Sequence, residues 1–101
     1  MNALGFIEIT GVVAALDALD IMTKSANVKL VTWERKLGGR LVTLIVEGDV
    51  AAVIAAVENA STLCIKKPAA KLVLANPHPE TRRIVDISAS RLNKVDNRSL
   101  L

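Results

Sequence analysis

Between two strongly apolar segments, residues 35–48 read Arg-Lys-Leu-Gly-Gly-Arg-Leu-Val-Thr-Leu-Ile-Val-Glu-Gly. The pair Gly38-Gly39 can take positive φ, so it marks a hairpin turn, and the tip of that hairpin is basic. A turn here requires Val28–Arg35 and Leu41–Val46 to lie side by side as antiparallel strands, and the rest of the chain must be arranged about that pair. Leu41–Val46 is apolar at nearly every position, the pattern of a strand covered on both faces. In Val28–Arg35, Val28, Leu30 and Thr32 alternate with Lys29, Val31 and Trp33.

The flanking segments supply the other elements. Ala3–Ile9 reads as a central strand, with Leu4 and Phe6 on one face and Ile7 and Ile9 on the other. Thr10 is the expected N-cap of a helix over Val12–Ala26. There Val12, Leu16 and Leu19, with Val13 and Met22 alongside, form an apolar stripe opposite Asp17, Asp20 and Lys24. Asp20 and Lys24 are spaced for an i, i+4 ion pair. Gly48-Asp49 opens a second helix, Val50–Ile65, whose alanines permit close packing. Lys66-Lys67-Pro68 is expected to end it, the lysines favouring the C-terminal dipole. Lys71–Ala75 is a fourth strand, Asn76-Pro77-His78-Pro79 a rigid turn, and Glu80–Val85 one short helix. Residues 86–101 are polar, basic and weakly patterned, so they are expected to form a loosely docked tail. The order predicts an α+β, ferredoxin-like βαββαβ domain over residues 1–85, followed by the tail over 86–101. Its four-stranded antiparallel sheet carries two helices on one face and a short C-terminal helix or tail.

Composition narrows what such a domain does. The chain has 101 residues, of which 51% are hydrophobic and only 2% aromatic, so its core must be built from Val, Leu, Ile and Ala. A mean hydropathy of +0.40 is high for a small monomer, and apolar surface beyond the needs of one core usually ends in an interface. No apolar run approaches the ~18 residues of a spanning helix. The start lacks the basic segment of a signal peptide. One unpaired cysteine fits a reducing compartment, so a cytoplasmic protein with no membrane partner is expected.

Catalytic groups are scarce. The single cysteine and histidine, Cys64 and His78, form a dyad only by tertiary accident, and a buried helical Cys with a turn His is the simpler reading. Glu8, Asp17, Asp20 and Glu34 lie on separate elements or on a solvated helix face, a poor arrangement for paired acid–base work. There is no P-loop, no G-x-G-x-x-G and no cluster of metal ligands, so no enzyme, cofactor or metal site is expected. Nucleic acid is also disfavoured. A net charge of +3 is small, Phe6 and Trp33 are the only aromatics, and RNA-binding sheets stack bases on exposed aromatics. Arg82, Arg83, Arg91, Lys94 and Arg98 are read as a solvated basic tail.

Four stretches in order resemble the single-domain, hexamer-forming shell proteins of bacterial microcompartments. Ala3-Leu4-Gly5-Phe6-Ile7-Glu8 is similar to that family's opening strand. Asp20-Ile21-Met22-Thr23-Lys24-Ser25-Ala26-Asn27-Val28-Lys29-Leu30-Val31 resembles its helix-to-strand signature. Leu41-Val42-Thr43-Leu44-Ile45-Val46-Glu47-Gly48-Asp49-Val50 resembles its third strand and helix start, and Pro77-His78 the end of its fourth-strand motif. The resemblance spans residues 3–85. It implies a structural shell protein forming cyclic hexamers that tile edge to edge into facets, with a central pore for small, anionic or polar metabolites. The implied partners are further copies of the chain, other shell proteins and the encapsulated enzymes.

Site roles follow from the resemblance alone. Lys36, Leu37, Gly38, Gly39 and Arg40 correspond to the pore loop. Lys24 and Asn27, with Asn76, Pro77 and His78, correspond to the hexamer–hexamer edge. Two departures stand out. The loop is one residue longer than usual and carries Lys36 and Arg40 where many relatives have a small neutral residue. Asn76 stands where many have an arginine that docks across the boundary, and Arg82 and Arg83 are the nearby candidates to replace it. Two readings from other classes stay open at this point: a ferredoxin-like module binding a small regulatory ligand, and an RNA-binding module.

Overall fold

The computed structural model describes residues 2–36 and 40–99, with side chains through Leu92. In chain order the elements are strand β1 (Ala3–Thr10), helix α1 (Val12–Ser25), strands β2 (Val28–Lys36) and β3 (Leu41–Gly48), helix α2 (Val50–Leu63), strand β4 (Ala70–Leu74) and helix α3 (Pro79–Ser99). The sheet runs β2-β3-β1-β4 with every neighbouring pair antiparallel. The two segments expected to be central, β1 and β3, are the inner strands. The glycine turn at residues 38 and 39 lies outside the described residues. The strands it joins pair from Val28 opposite Gly48 to Lys36 opposite Leu41, with one shift of register between.

Helices α1 and α2 cover one face. Ala14, Ala15, Ala18 and Met22 of α1 and Val53, Ala56, Val57 and Ala60 of α2 are buried against Ala3, Ile7, Ile9, Val42, Leu44 and Val46 of the sheet. These small side chains bring the helices close to the strands. A Cβ placed on Gly5 of β1 would sit 2.7 Å from Val53 Cγ1 and 3.0 Å from Val57 Cγ2, so only glycine fits beneath α2.

The α1 stripe differs from expectation. Met22 is buried, but Leu16 and Val13 are exposed, and the alanines take the inward positions. Apolar residues lie on both sides of this helix, so hydrophobicity alone does not reveal which side faces the sheet. The start of α1 differs too. Gly11, not Thr10, is the N-cap residue, at φ +99°, and no side chain caps the helix. The Gly11 N–H instead donates to the Arg40 carbonyl at 2.8 Å, tying α1 to the hairpin. Helix α2 ends at Leu63, so Lys66 and Lys67 lie beyond its last turn. The Cys64 thiol donates to the Ala14 carbonyl at 3.4 Å, and the Ile65 N–H donates to Asp17 Oδ2 at 2.9 Å. Asp17 thus ties α1 to the segment that follows α2.

The largest correction concerns the C-terminal region. The expected short helix over Glu80–Val85 and loose tail are one helix running through Ser99. It packs on the sheet face opposite α1 and α2, where Val85 joins Leu4 and Ile45 in a second cluster with Phe6 and Val31 beside it. The inward stripe of α3 is Thr81, Val85, Ser88 and Leu92, which has helical spacing but is half hydroxyl. That polarity hid the period from a hydrophobic reading. A bulge in β2 prepares this face. The register skips between Leu30 and Thr32. Val31 and Thr32 therefore both turn toward α3, Val31 against the second cluster and Thr32 onto Ser88, while Trp33 returns to the first core.

Candidate functional site

The strand register divides the expected site residues between the two ends of the sheet. At one end Lys36 pairs with Leu41, and Thr10 lies opposite Leu41 on the other side. Lys36 and Arg40 belong to this end; Leu37, Gly38 and Gly39 lie outside the described residues. At the other end Val28 and Ala3 both lie opposite Gly48, and Leu74 pairs with Leu4. Asn27 precedes Val28, Lys24 is in the last turn of α1, and Asn76, Pro77 and His78 follow β4, so all five belong here. Strands of this length separate the two groups by roughly 25 Å.

The hairpin end is dominated by positive charge. The Arg35 guanidinium lies over the Trp33 ring, 5.3 Å from its centroid. Arg40 and Lys66 border a cleft of about 310 Å³ with Thr10 and Gly11. The nearest carboxylate to Lys36 is Glu34, whose Oε1 is 4.0 Å from Lys36 Nζ. That distance is at the outer limit of an ion pair, and the Lys36 side chain is 65% exposed. Glu34 is also held from α3. Ser88 donates its hydroxyl to Oε2, and Arg91 Nη2 lies 3.9 Å from the same oxygen.

At the opposite end Lys24 and His78 have local roles as well. Lys24 Nζ is 2.9 Å from Asp20 Oδ2, the i, i+4 pair that the spacing predicted, with both side chains exposed. Pro77 is buried while Asn76 and His78 are exposed. His78 starts α3: its Nδ1 accepts the Glu80 N–H at 3.0 Å, and its carbonyl accepts the Arg82 N–H at 3.0 Å. Arg82 is committed within the chain. Its Nη2 meets Glu47 Oε2 at 2.8 Å and its Nε meets Asp86 Oδ1 at 3.2 Å. The hydrogen bond to Glu47 is the main cause that holds this guanidinium above its ordinary pKa. Arg83 pairs with Glu80 at 3.0 Å. Glu47 was missed in the sequence because its partner lies 35 residues away on a different layer.

Other candidates stay apart. Cys64 contacts Ala14 near the hairpin end, whereas His78 follows β4 at the far end, so they form no dyad. Among the described residues no group of three or more His, Cys, Asp or Glu side chains is placed to hold a metal ion. No described helix is long and apolar enough to cross a membrane. Large apolar side chains remain exposed on the outer surfaces of α1 and α2 and beyond α2, among them Val13, Leu16, Val50, Ile54, Leu63 and Ile65.

Comparison with known proteins gives these features a context. The BMC domain family matches residues 3–77. The microcompartment shell protein PduA of Citrobacter freundii is 47% identical over 80 residues, covering 79% of this chain and 85% of that protein. The microcompartment shell protein EutM of Salmonella typhimurium is 40% identical over 90 residues, covering 87% and 93%. The carboxysome shell protein CsoS1C of Hydrogenovibrio crunogenus is 40% identical over 91 residues, covering 87% and 88%. Among solved structures, a microcompartment protein from Desulfitobacterium hafniense superposes with a TM-score of 0.74 at 25% identity; the match takes in 87% of this chain and 48% of that one. Four matching stretches in order, the strand arrangement that carries them and relatives aligned along most of their length lead to one assignment: this chain belongs to the BMC domain family of microcompartment shell proteins.

Proposed function

We propose that the chain is a structural subunit of a bacterial microcompartment shell. Six copies close into a ring, the rings tile edge to edge into a facet, and the β2–β3 hairpins meet around a central opening for small metabolites. We take the fold as the ferredoxin-like βαββαβ arrangement, which the order β2-β3-β1-β4 supports. The observation that carries the reading is the division of the sheet: the basic hairpin is at one end and Lys24, Asn27 and Asn76–His78 at the other. A wedge-shaped subunit of a ring needs that separation, one end at the axis and the other at the perimeter. The exposed apolar residues of α1 and α2 supply surface for contact between subunits. On this reading the subunit resides in the shell inside the bacterial cytoplasm, with other shell proteins as lateral partners and encapsulated enzymes beneath.

The charge at the hairpin extends the proposal to selectivity. Lys36 and Arg40 repeated about an axis favour anions over cations. At the perimeter, Asn76 lacks the charge of the arginine common among relatives. Arg82 and Arg83, each paired within the chain, are poorly placed to replace it. Lys24 is then the main edge anchor, its stem lying along the neighbouring ring.

Negative-stain images of the purified protein test the assembly: hexamers and extended sheets are expected, and a stable monomer or dimer at high concentration overturns it. Arg40→Glu tests the opening. It should reduce entry of an anionic metabolite into closed shells, and unchanged entry counts against a basic opening.

A further inference from the structure

Helix α3 runs alongside β2 in the same direction, toward the hairpin. Its contacts climb the sheet in order. Arg82 meets Glu47, Val85 packs with Leu4 and Ile45, Ser88 bonds Thr32 and Glu34, and Arg91 reaches Glu34. The helix therefore ends its described contacts on the residue two positions before Lys36.

The link at that point is directional. Ser88 is 7% exposed and Thr32 is fully buried, and their hydroxyl oxygens lie 3.0 Å apart. Ser88 has one hydroxyl proton, and it goes to Glu34 Oε2. The Thr32 hydroxyl must then donate to Ser88, giving a chain of donors from Thr32 through Ser88 that terminates on the carboxylate. Such a chain fixes the position of the carboxylate. Arg91 flanks the same oxygen at 3.9 Å, and Lys36 lies 4.0 Å from the other. One carboxylate thus has α3 on one side and the hairpin on the other. Arg35, Lys36 and Arg40 are its cationic neighbours in the sequence of the hairpin, and Glu34 is the one acidic residue between Val28 and Val46.

We propose that Glu34 is a selectivity-determining residue of the opening, offsetting part of the positive charge of the hairpin, and that α3 acts as its positioning element through Ser88. This rests on the hairpin bordering an opening. Six repeats of Glu34 place six negative charges near the mouth, and the hydroxyl chain keeps them there rather than free to swing into bulk water. The C-terminal helix thereby acts on permeation through a single carboxylate, without itself entering the opening.

The test uses closed shells assembled with the full chain and two probes, succinate and putrescine, whose entry is measured as a ratio. Glu34→Gln keeps the shape and the acceptor for Ser88 but removes the charge; it should raise the succinate-to-putrescine ratio roughly fivefold at physiological salt, an effect that fades as salt rises. Ser88→Ala changes no charge and should move the ratio the same way by about twofold, with Ser88→Thr restoring it. Arg91→Ala alters an exposed side chain and so leaves assembly intact; it strips a cation from Glu34 and should lower the ratio. Arg40→Glu serves as the control for the opening itself. If Arg40→Glu lowers the ratio and Glu34→Gln leaves it unchanged, the proposal is overturned and the opening stands. If Glu34→Gln acts but Ser88→Ala does not, the role of α3 is overturned. If Arg40→Glu also has no effect, the opening is overturned and this proposal with it. Should Glu34→Gln fail to assemble, an unchanged ratio in Arg91→Ala overturns the proposal.

Discussion

The two faces of the sheet are held by different physics. The α1/α2 face is dry. Its buried residues are alanine, valine, isoleucine, leucine and methionine, and Gly5 lets α2 approach to van der Waals contact. The α3 face has a small apolar centre of Leu4, Ile45 and Val85, with a polar clasp at each end: Arg82 on Glu47, and Thr32–Ser88 on Glu34. A dry face depends on shape and tolerates no added atom. A clasped face depends on specific partners, and most of its cost appears when one partner is removed and the other stays buried. One protein thus carries both a closely fitted scaffold and a helix attached through specific polar partners.

The largest effect should come from overfilling the dry face. Gly5→Val puts atoms where Val53 and Val57 already lie, and overpacking of this kind should cost about 3 kcal/mol or more. That is a large fraction of a small domain's stability, so soluble yield and thermal melting should both collapse. A melt close to wild type would mean that α2 can shift and that the face is less tightly fitted than the structure indicates.

Val85→Ala probes the apolar centre of the other face. Losing two buried methyl groups should cost about 2 kcal/mol, and the loss should concentrate in α3. Hydrogen exchange should report faster opening of α3 amides, with β1 and β3 unaffected. Equal loss of protection on both faces would show one cooperative unit and remove the contrast.

Arg82→Ala tests the first clasp. The pair is partly buried, at 24% exposure for Arg82 and 19% for Glu47, so a cost near 1–2 kcal/mol is expected in urea unfolding. The folded-state pKa of Arg82 is raised, so its contribution is complete below the unfolded-state value and is lost only as pH rises through the folded value. Both lie in strong alkali. The difference between wild type and Arg82→Ala should therefore stay constant on the basic side up to pH 10, and a decline by pH 9 would contradict the assignment.

The smallest stability effect belongs to Lys24→Ala. Its ion pair with Asp20 is exposed, so monomer stability should change by about 0.5 kcal/mol or less. The same variant should leave hexamers intact and abolish sheets in electron micrographs. Persistent sheets would show that Lys24 is not an edge anchor.

Much of the dry face was legible in the residues. Leu41–Val46 reads as central because both its faces are apolar, and β3 is an inner strand. Where the reading failed, the chain carried apolar residues on more than one side. Leu16 and Val13 looked like core in α1 and are exposed, because Ala14, Ala15, Ala18 and Met22 take the inward positions. The candidate site was legible only in part. The resemblance picked out the hairpin and the edge residues, and the register shows them at opposite ends. The α3 partners of Glu34 and Glu47 were invisible, since they come from a helix 35 and more residues away whose inward stripe includes Thr81 and Ser88.

By itself, the sequence determined the family, the order of strands and helices through β4 and the basic hairpin, because these rest on local periodicity, turn chemistry and short contiguous motifs. Only the tertiary structure decided which side of α1 faces inward, that residues 79–99 form one helix on the opposite face, and that Ser88 meets Glu34. Those outcomes depend on contacts between residues far apart in the chain, where a hydroxyl can fill a core position once its partner is fixed, and no local pattern carries that information.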